Sequence, residues 1–441
     1  MSVPIVGSVG SGVHATESLL YFVLLQLTII VLAGRAGSAL ARRWGQSSAV
    51  GEIIVGILLG PSLFGLLAPG VFAYVFRSVA PESMTMLSQV GLLLLMFQIG
   101  LEFDFGHLRE ARNQKAVAAV AVATLAAPFL LGLGFGYVSA PILAPGIEPS
   151  ASALFIATAF SITALPVLGR IMIELNIQRS TLGVIAISAA ALNDVVGWLM
   201  LAVVSTLTVS GFSAATFATR IALIALLGAF AWFVVRPLMK RLLARLDPGD
   251  GSLGHHQLGA MIALIFLGGM STYQLGIFAI FGGFLAGVLL HDDRKLVAAW
   301  SERVGQFVIV FFLPIFFTYT GLRTEIGSLD SASAWGWCAL LIFLATLGKY
   351  GAAYAAARWV GLNHNQAKVL GIMMNTRALM ELIVINVGFD LGVISRQMFT
   401  MLVLMAVFST VITTPLLRRW LPSALSGRES EMYAQSQAAK A

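Results

Sequence analysis

The chain has 441 residues, of which 58% are hydrophobic and only 11% charged, against about 25% charged residues in soluble domains. That composition excludes a water-soluble fold and intrinsic disorder, and the single cysteine, Cys338, excludes a disulfide scaffold. The formal charge of +7 does not describe a nucleic-acid surface, because the basic residues are scattered in ones and twos along loops.

A helix needs about 20 apolar residues to cross a hydrocarbon core roughly 30 Å thick. In chain order, about thirteen such stretches lie at 16–40, 49–62, 83–101, 114–138, 150–174, 180–210, 214–245, 255–272, 274–291, 299–321, 333–359, 364–388 and 396–421. The second is short, and the boundary between the eighth and ninth is soft. No Lys or Arg precedes the first stretch, whereas Arg35 lies near its end and Arg42 and Arg43 follow it. A cleaved leader has the opposite flanks, so the first helix is expected to be retained with its N-terminus outside. Threading thirteen helices inward leaves about 21 of the 27 Lys and Arg on the inner side and about four outside (Arg77, Arg220, Arg323 and Arg396). Two, Lys349 and Arg377, fall within the bilayer. This bias toward the cytoplasmic side puts the C-terminus inside.

The stretches repeat. GEIIVGILLGPSLFG from Gly51 pairs with FGGFLAGVLLHDD from Phe281, IGLEFDF from Ile99 with TGLRTEI from Thr320, and TALPVLGRI from Thr163 with RALMELIVI from Arg377. The offsets are about 214 to 231 residues, and the partners are seven helices apart in the same order. An odd separation inverts one copy relative to the other, an architecture of secondary transporters whose sites lie where the copies meet. The expected organisation is one transmembrane domain over 1–421, with repeat one at about 16–210, a linking helix at about 214–245 and repeat two at about 255–421. A polar, disordered cytoplasmic tail is expected over 422–441.

The paired fifth and twelfth stretches carry irregularities. Pro166, preceded by Ser161 and Thr163, removes a backbone hydrogen bond in mid-helix, which predicts either a break or a tolerated kink. Asn375 and Thr376 lie at mid-depth in the twelfth, followed by Arg377 and Glu381. Interrupted helices leave opposed half-helix ends, positive at N-termini and negative at C-termini.

Most acidic residues, including Glu102, Asp104, Glu110, Glu174, Asp292 and Asp293, sit at stretch ends. Asp194 and Glu381 are the two expected deep in the bilayer, where a charge costs at least about 2.5 kcal/mol. Asp194 is about fourteen residues into the sixth stretch, roughly 21 Å from its cytosolic end at 1.5 Å per residue. Asn193 precedes it, and the small residues Ser188 to Ala191 allow another helix to approach closely. Carboxylate, carboxamide, hydroxyls and freed carbonyls form a ligand set for a small hard cation; the alternative is a structural partnership with Lys349 or Arg377. If proton and alkali cation compete for the one carboxylate, their fluxes are coupled. Arg377 and Glu381 share a helix face and are expected to pair structurally. Lys349 has three readings: counter-charge to a half-helix C-terminus, partner of Asp194, or proton carrier. His255 and His256 read as a solvated pair, and His14, His107, His291 and His364 are scattered without metal-ligand spacing. With no phosphate loop and no nucleophile–base arrangement, neither an enzyme nor a cofactor is expected.

GEIIVGILLGPSLFG, GLLLLMFQIGLEFDF, SITALPVLGR, LNDVVGW, FFLPIFFTYTGLR and NTRALMELIVIN together resemble the monovalent cation:proton antiporter-2 family, including Kef-type potassium efflux systems, plant cation/H⁺ exchangers and NapA-type sodium/proton antiporters. The resemblance implies an all-α membrane fold of the NhaA-like kind, with two crossed broken helices, a homodimer, and a mobile core that carries the ion by elevator-like alternation. It implies that Asp194 is the essential cation- and proton-binding aspartate, binding K⁺ or Na⁺. It also implies that Asn193, Ser161 and Thr163 line its site and that Lys349 and Arg377 are the basic residues of the core. Electrogenic members have an Asp-Asp pair where this chain has Asn193-Asp194, which implies electroneutral exchange and leaves Lys349 without its usual first-Asp partner. Kef-type systems carry a cytoplasmic nucleotide-binding domain after the last helix, and none is expected in this chain. The competing readings are a sodium-coupled symporter of an organic solute and a cation channel.

Overall fold

The computed structural model describes residues 6–77, 82–101, 114–175, 177, 180–210, 214–247, 253–275, 278–377 and 379–425. Among them all regular structure is helical. The principal elements are α1 (Val6–Arg43), α2 (Ser48–Leu59), α3 (Glu82–Leu101), α4 (Gln114–Leu143), α5 (Pro149–Ser161), α6 (Leu165–Leu175), α7 (Thr181–Ser210) and α8 (Ala214–Phe230). They continue with α9 (His255–Gln274), α10 (Ala279–Leu290), α11 (Leu313–Arg323), α12 (Ala332–Thr346), α13 (His364–Met374), α14 (Leu379–Asp390) and α15 (Arg396–Ala424). Two run on through a wider turn: α8 into Arg236–Arg245, and α12 through Leu347–Gly351 into Ala352–Trp359.

Nine helices among the described residues are long and apolar enough to cross a membrane. They match nine of the thirteen apolar stretches, and the remaining four differ for local reasons. The fifth and twelfth are each split into two half-helices, α5–α6 and α13–α14. The ninth, α10, has only 12 residues, and the eighth, α9, has polar ends from His255 to Gln274.

Packing sorts the helices into two bodies. In one, α4, α5–α6, α7, α12, α13–α14 and α15 lie on one another; in the other, α1, α2, α3, α9, α10 and α11 do. The second body is held by backbone-to-backbone approaches that only glycine permits. A methyl group on Gly321 of α11 would strike the Gly56 carbonyl of α2, and one on Gly287 of α10 would strike the Phe97 carbonyl of α3 and crowd Gly100. The paired stretches of the two repeats align Gly56 with Gly287 and Gly100 with Gly321, so the two contacts exchange with one another. Between the bodies, Arg323 pairs with Asp390 at 2.5 Å and Asn386 donates to the Thr320 hydroxyl at 2.8 Å. Midway along α15, the Val411 carbonyl accepts from Gln46 at 3.0 Å.

Several expectations shift in detail. The chain breaks at Ile162–Ala164, ahead of Pro166, which occupies the first turn of α6; there its missing N–H costs no helical bond. A third carboxylate is buried besides Asp194 and Glu381: Glu52 of α2 is 3% exposed and accepts a hydrogen bond from Ser38 at 2.6 Å. The last helix continues to Ala424, past its expected end. Residues 426–441 of the expected tail, and Glu102, Asp104, His107 and Glu110, lie outside the described residues, as do the side chains of His14, Pro166, Glu174 and Arg220.

Candidate functional site

The two broken helices cross inside the first body. The segment between α5 and α6 is extended at Ile162 (φ −74°, ψ 142°), and the Ala164 amide donates to the Thr376 carbonyl of the other break at 3.1 Å. Gly197 of α7 gives Ile162 room, since a methyl group there would fall 2.7 Å from the Ile162 side chain. Asp194 lies one turn earlier on that helix and therefore faces the same break.

Four ionisable side chains are buried around the crossing: Asp194, Lys349, Arg377 and Glu381 are 2%, 0%, 0% and 1% exposed. Arg377 and Glu381 form an ion pair at 2.9 Å. The same guanidinium donates to the carbonyls of Ala159 at 3.2 Å, Phe160 at 3.1 Å and Ala345 at 3.1 Å. Two of these belong to the last turn of α5, whose final carbonyls have no intrahelical donor and carry partial negative charge. The Lys349 ammonium completes that end by donating to the Ser161 carbonyl and, at 2.7 Å, to the Thr163 hydroxyl.

Asp194 is differently placed. Neither carboxylate oxygen has a hydrogen-bond partner of normal geometry in the protein, although Lys349 and the Leu165 amide at the start of α6 interact with it electrostatically. Asn193, its neighbour, donates to Thr124 of α4 at 2.8 Å and, over a longer 3.5 Å, to Thr163. The Ser161 hydroxyl donates to the Ala157 carbonyl at 2.8 Å and to the Leu125 carbonyl at 3.1 Å. Asn375 follows α13 directly and is 0% exposed, with neither side-chain polar atom hydrogen-bonded in the protein. The structure therefore brings Asp194, Asn193, Ser161, Thr163, Lys349, Arg377 and Glu381 to one crossing. No group of three or more His, Cys, Asp or Glu side chains with metal-holding geometry occurs among the described residues.

Asp194, without a hydrogen bond of normal geometry, thus lies beside opened backbone and among buried cations, and residues 27–421 match the family described as sodium/hydrogen exchanger, transmembrane. The chain belongs to the sodium/hydrogen exchanger family. This exchanger is 35% identical over 412 residues to the Na(+)/H(+) antiporter NhaS4 of Synechocystis, covering 92% of this chain and 98% of that relative. It is 34% identical over 412 residues to Cation/H(+) antiporter 17 of Arabidopsis thaliana, covering 92% of this chain but only 49% of that relative. It thus spans about half the length of the plant protein. Its fold is shared with the sodium proton antiporter MjNhaP1 from Methanocaldococcus jannaschii, at a TM-score of 0.59, 14% identity and coverage of 92% and 98% of the two chains.

Three members of the exchanger's polar interior escaped sequence reasoning: Thr124, the Leu125 carbonyl and Glu52. A backbone acceptor has no signal in sequence. Thr124 had a weak one, a hydroxyl four residues before the mid-helix Pro128 of α4.

Proposed function

We propose that this exchanger moves one monovalent cation, Na⁺ or K⁺, against one H⁺ across the cell's inner membrane, the two ions competing for the Asp194 carboxylate. The observation that carries the reading is the burial of Asp194 with neither oxygen in a hydrogen bond of normal geometry to the protein, because a structural carboxylate at that depth would be fully hydrogen-bonded. The relatives' names, Na⁺/H⁺ and cation/H⁺ antiporters, point the same way and favour neither a symporter nor a channel.

The charge balance supports electroneutral exchange. Asp194 and Glu381 offset Lys349 and Arg377, so the crossing is neutral when Asp194 is ionised. Adding a proton or a monovalent cation then gives the same single positive charge, and the two half-cycles move equal charge in opposite directions. Lys349 supplies the gate on binding. Its ammonium already uses the Ser161 carbonyl and the Thr163 hydroxyl, two oxygens a cation at Asp194 would recruit. A cation entering the site therefore competes with Lys349 as well as with the proton. The exchanged glycine contacts support inverted repeats, and the segregation of helices into two bodies supports one body moving against the other. The basic-residue bias supports an outer N-terminus and a cytoplasmic C-terminus. The homodimer rests on resemblance.

Proteoliposomes holding a pH-sensitive dye should show fluorescence recovery on addition of Na⁺ or K⁺, without generating a membrane potential. Asp194→Asn should reduce exchange at least about a hundredfold while leaving the protein folded. Full exchange in that variant would end the assignment.

A further inference from the structure

The α4 segment from Thr124 to Pro128 forms a third wall of the crossing, and each of its polar features meets a different part of the site. The Leu125 carbonyl accepts the Ser161 hydroxyl at 3.1 Å. Pro128 lies against Gly348, the residue before Lys349, where a methyl group would fall 3.0 Å from the Pro128 Cα. Pro128 also has no N–H to give the Thr124 carbonyl, which loosens the helix at this turn. Thr124 is 0% exposed, and its hydroxyl donates to the Val120 carbonyl at 2.7 Å. With its proton so committed, the oxygen can only accept, and it accepts the Asn193 amide at 2.8 Å.

We propose that Thr124 is a positioning residue for the ion site, acting through Asn193. A carboxamide presents a donor at one end and an acceptor at the other, and nothing in its shape decides which faces the break. An acceptor-only oxygen at Thr124 decides it. The amide end is held between Thr124 and Thr163, and the carbonyl end is turned away from both. Loss of that acceptor frees the carboxamide to rotate, putting N–H donors where a cation needs oxygens. Asn193 is bonded to the Thr163 hydroxyl that Lys349 also occupies, so its orientation is felt at the oxygens where ammonium and cation compete. A hydroxyl back-bonded to its own helix for packing alone would not be coupled to Asn193 or to ion affinity.

The test uses the full chain in proteoliposomes, with Na⁺ and K⁺ titrated separately at fixed pH. Thr124→Val keeps the shape and removes the acceptor. Its half-saturating cation concentration should rise about fivefold, the worth of one neutral buried hydrogen bond, with the maximum rate changed less than twofold. Thr124→Ser should restore the parent value. In an Asn193→Ala background, Thr124→Val should add nothing further. An unchanged or lowered half-saturation, a change confined to the maximum rate, or full additivity with Asn193→Ala would overturn the proposal. If the valine variant is not monodisperse, Thr124→Ala supplies the same comparison. The inference rests on the Asp194 reading, so Asp194→Asn is measured alongside. Exchange surviving there sinks that reading, whereas exchange lost there with Thr124→Val unaffected sinks only the role of Thr124.

Discussion

The two broken helices end their first halves in opposite ways. α5 leaves its last turn into extended backbone at Ile162 (φ −74°, ψ 142°), so its terminal carbonyls depend on donors from elsewhere. Arg377 takes those of Ala159 and Phe160, and Lys349 takes that of Ser161. α13 instead winds on through Asn375 (φ −81°, ψ 1°). The Asn375 amide donates back to the Gly371 and Ile372 carbonyls, and the Thr376 amide and hydroxyl both donate to that of Met373. The end of α5 is closed by cations that reach in from the turn after α12 and from the second break, whereas the end of α13 is closed by its own chain and the carbonyls beyond it accept from the Ala164 amide and the Thr410 hydroxyl.

The largest effect should follow from removing the cation that spans both breaks. Arg377→Met withdraws two donors from α5 and leaves Glu381 buried without its partner. Breaking a buried pair from one side costs about 3–5 kcal/mol, enough to threaten the fold of a marginally stable protein. Thermal unfolding in detergent should show a large loss, partly recovered by adding Glu381→Gln. If the double variant were no more stable than the single one, the Arg377–Glu381 pair would not be what holds the first break.

Lys349→Met should cost less, about 1.5–3 kcal/mol for charged hydrogen bonds, because Arg377 still covers the rest of the end of α5. Its effect on ions is more informative. With the ammonium gone, the Ser161 carbonyl and the Thr163 hydroxyl are released to a cation. At alkaline pH, where protons do not compete, thermal stabilisation by Na⁺ or K⁺ should appear at lower concentration than in the parent. Stabilisation that needed more cation would mean Lys349 assists binding rather than contesting it.

Much of this contrast could be read from sequence, and its limits were physical. Hydropathy placed the helices, and polar residues in apolar runs marked both interrupted stretches. Pro166 pointed to a break, but the break lies at Ile162–Ala164 because proline is best tolerated in the first turn of the helix that follows. What could not be read was pairing to backbone. The partners of Lys349 and Arg377 are mostly carbonyls, common to every residue, and the bond joining the breaks runs from the Ala164 amide to the Thr376 carbonyl. Glu52 sits close to the start of α2, where sequence position gives no hint that Ser38 of α1 covers it.

The smallest stability effect belongs to the second break, and it decides between the two. Asn375 is fully buried, with neither Oδ1 nor Nδ2 hydrogen-bonded in the protein. A buried amide without partners costs about 1–3 kcal/mol of desolvation, so Asn375→Ala should leave thermal stability unchanged or raise it by a few degrees. The backbone cap survives the substitution, because it uses the amide of residue 375 and not its side chain. A group kept at an energetic loss at the site is expected to serve the exchanged ion, and exchange in Asn375→Ala should fall severalfold. A variant that instead loses stability and keeps full exchange would show that the Asn375 side chain holds the second break and does not serve the ion, making both breaks depend on side chains for their closure.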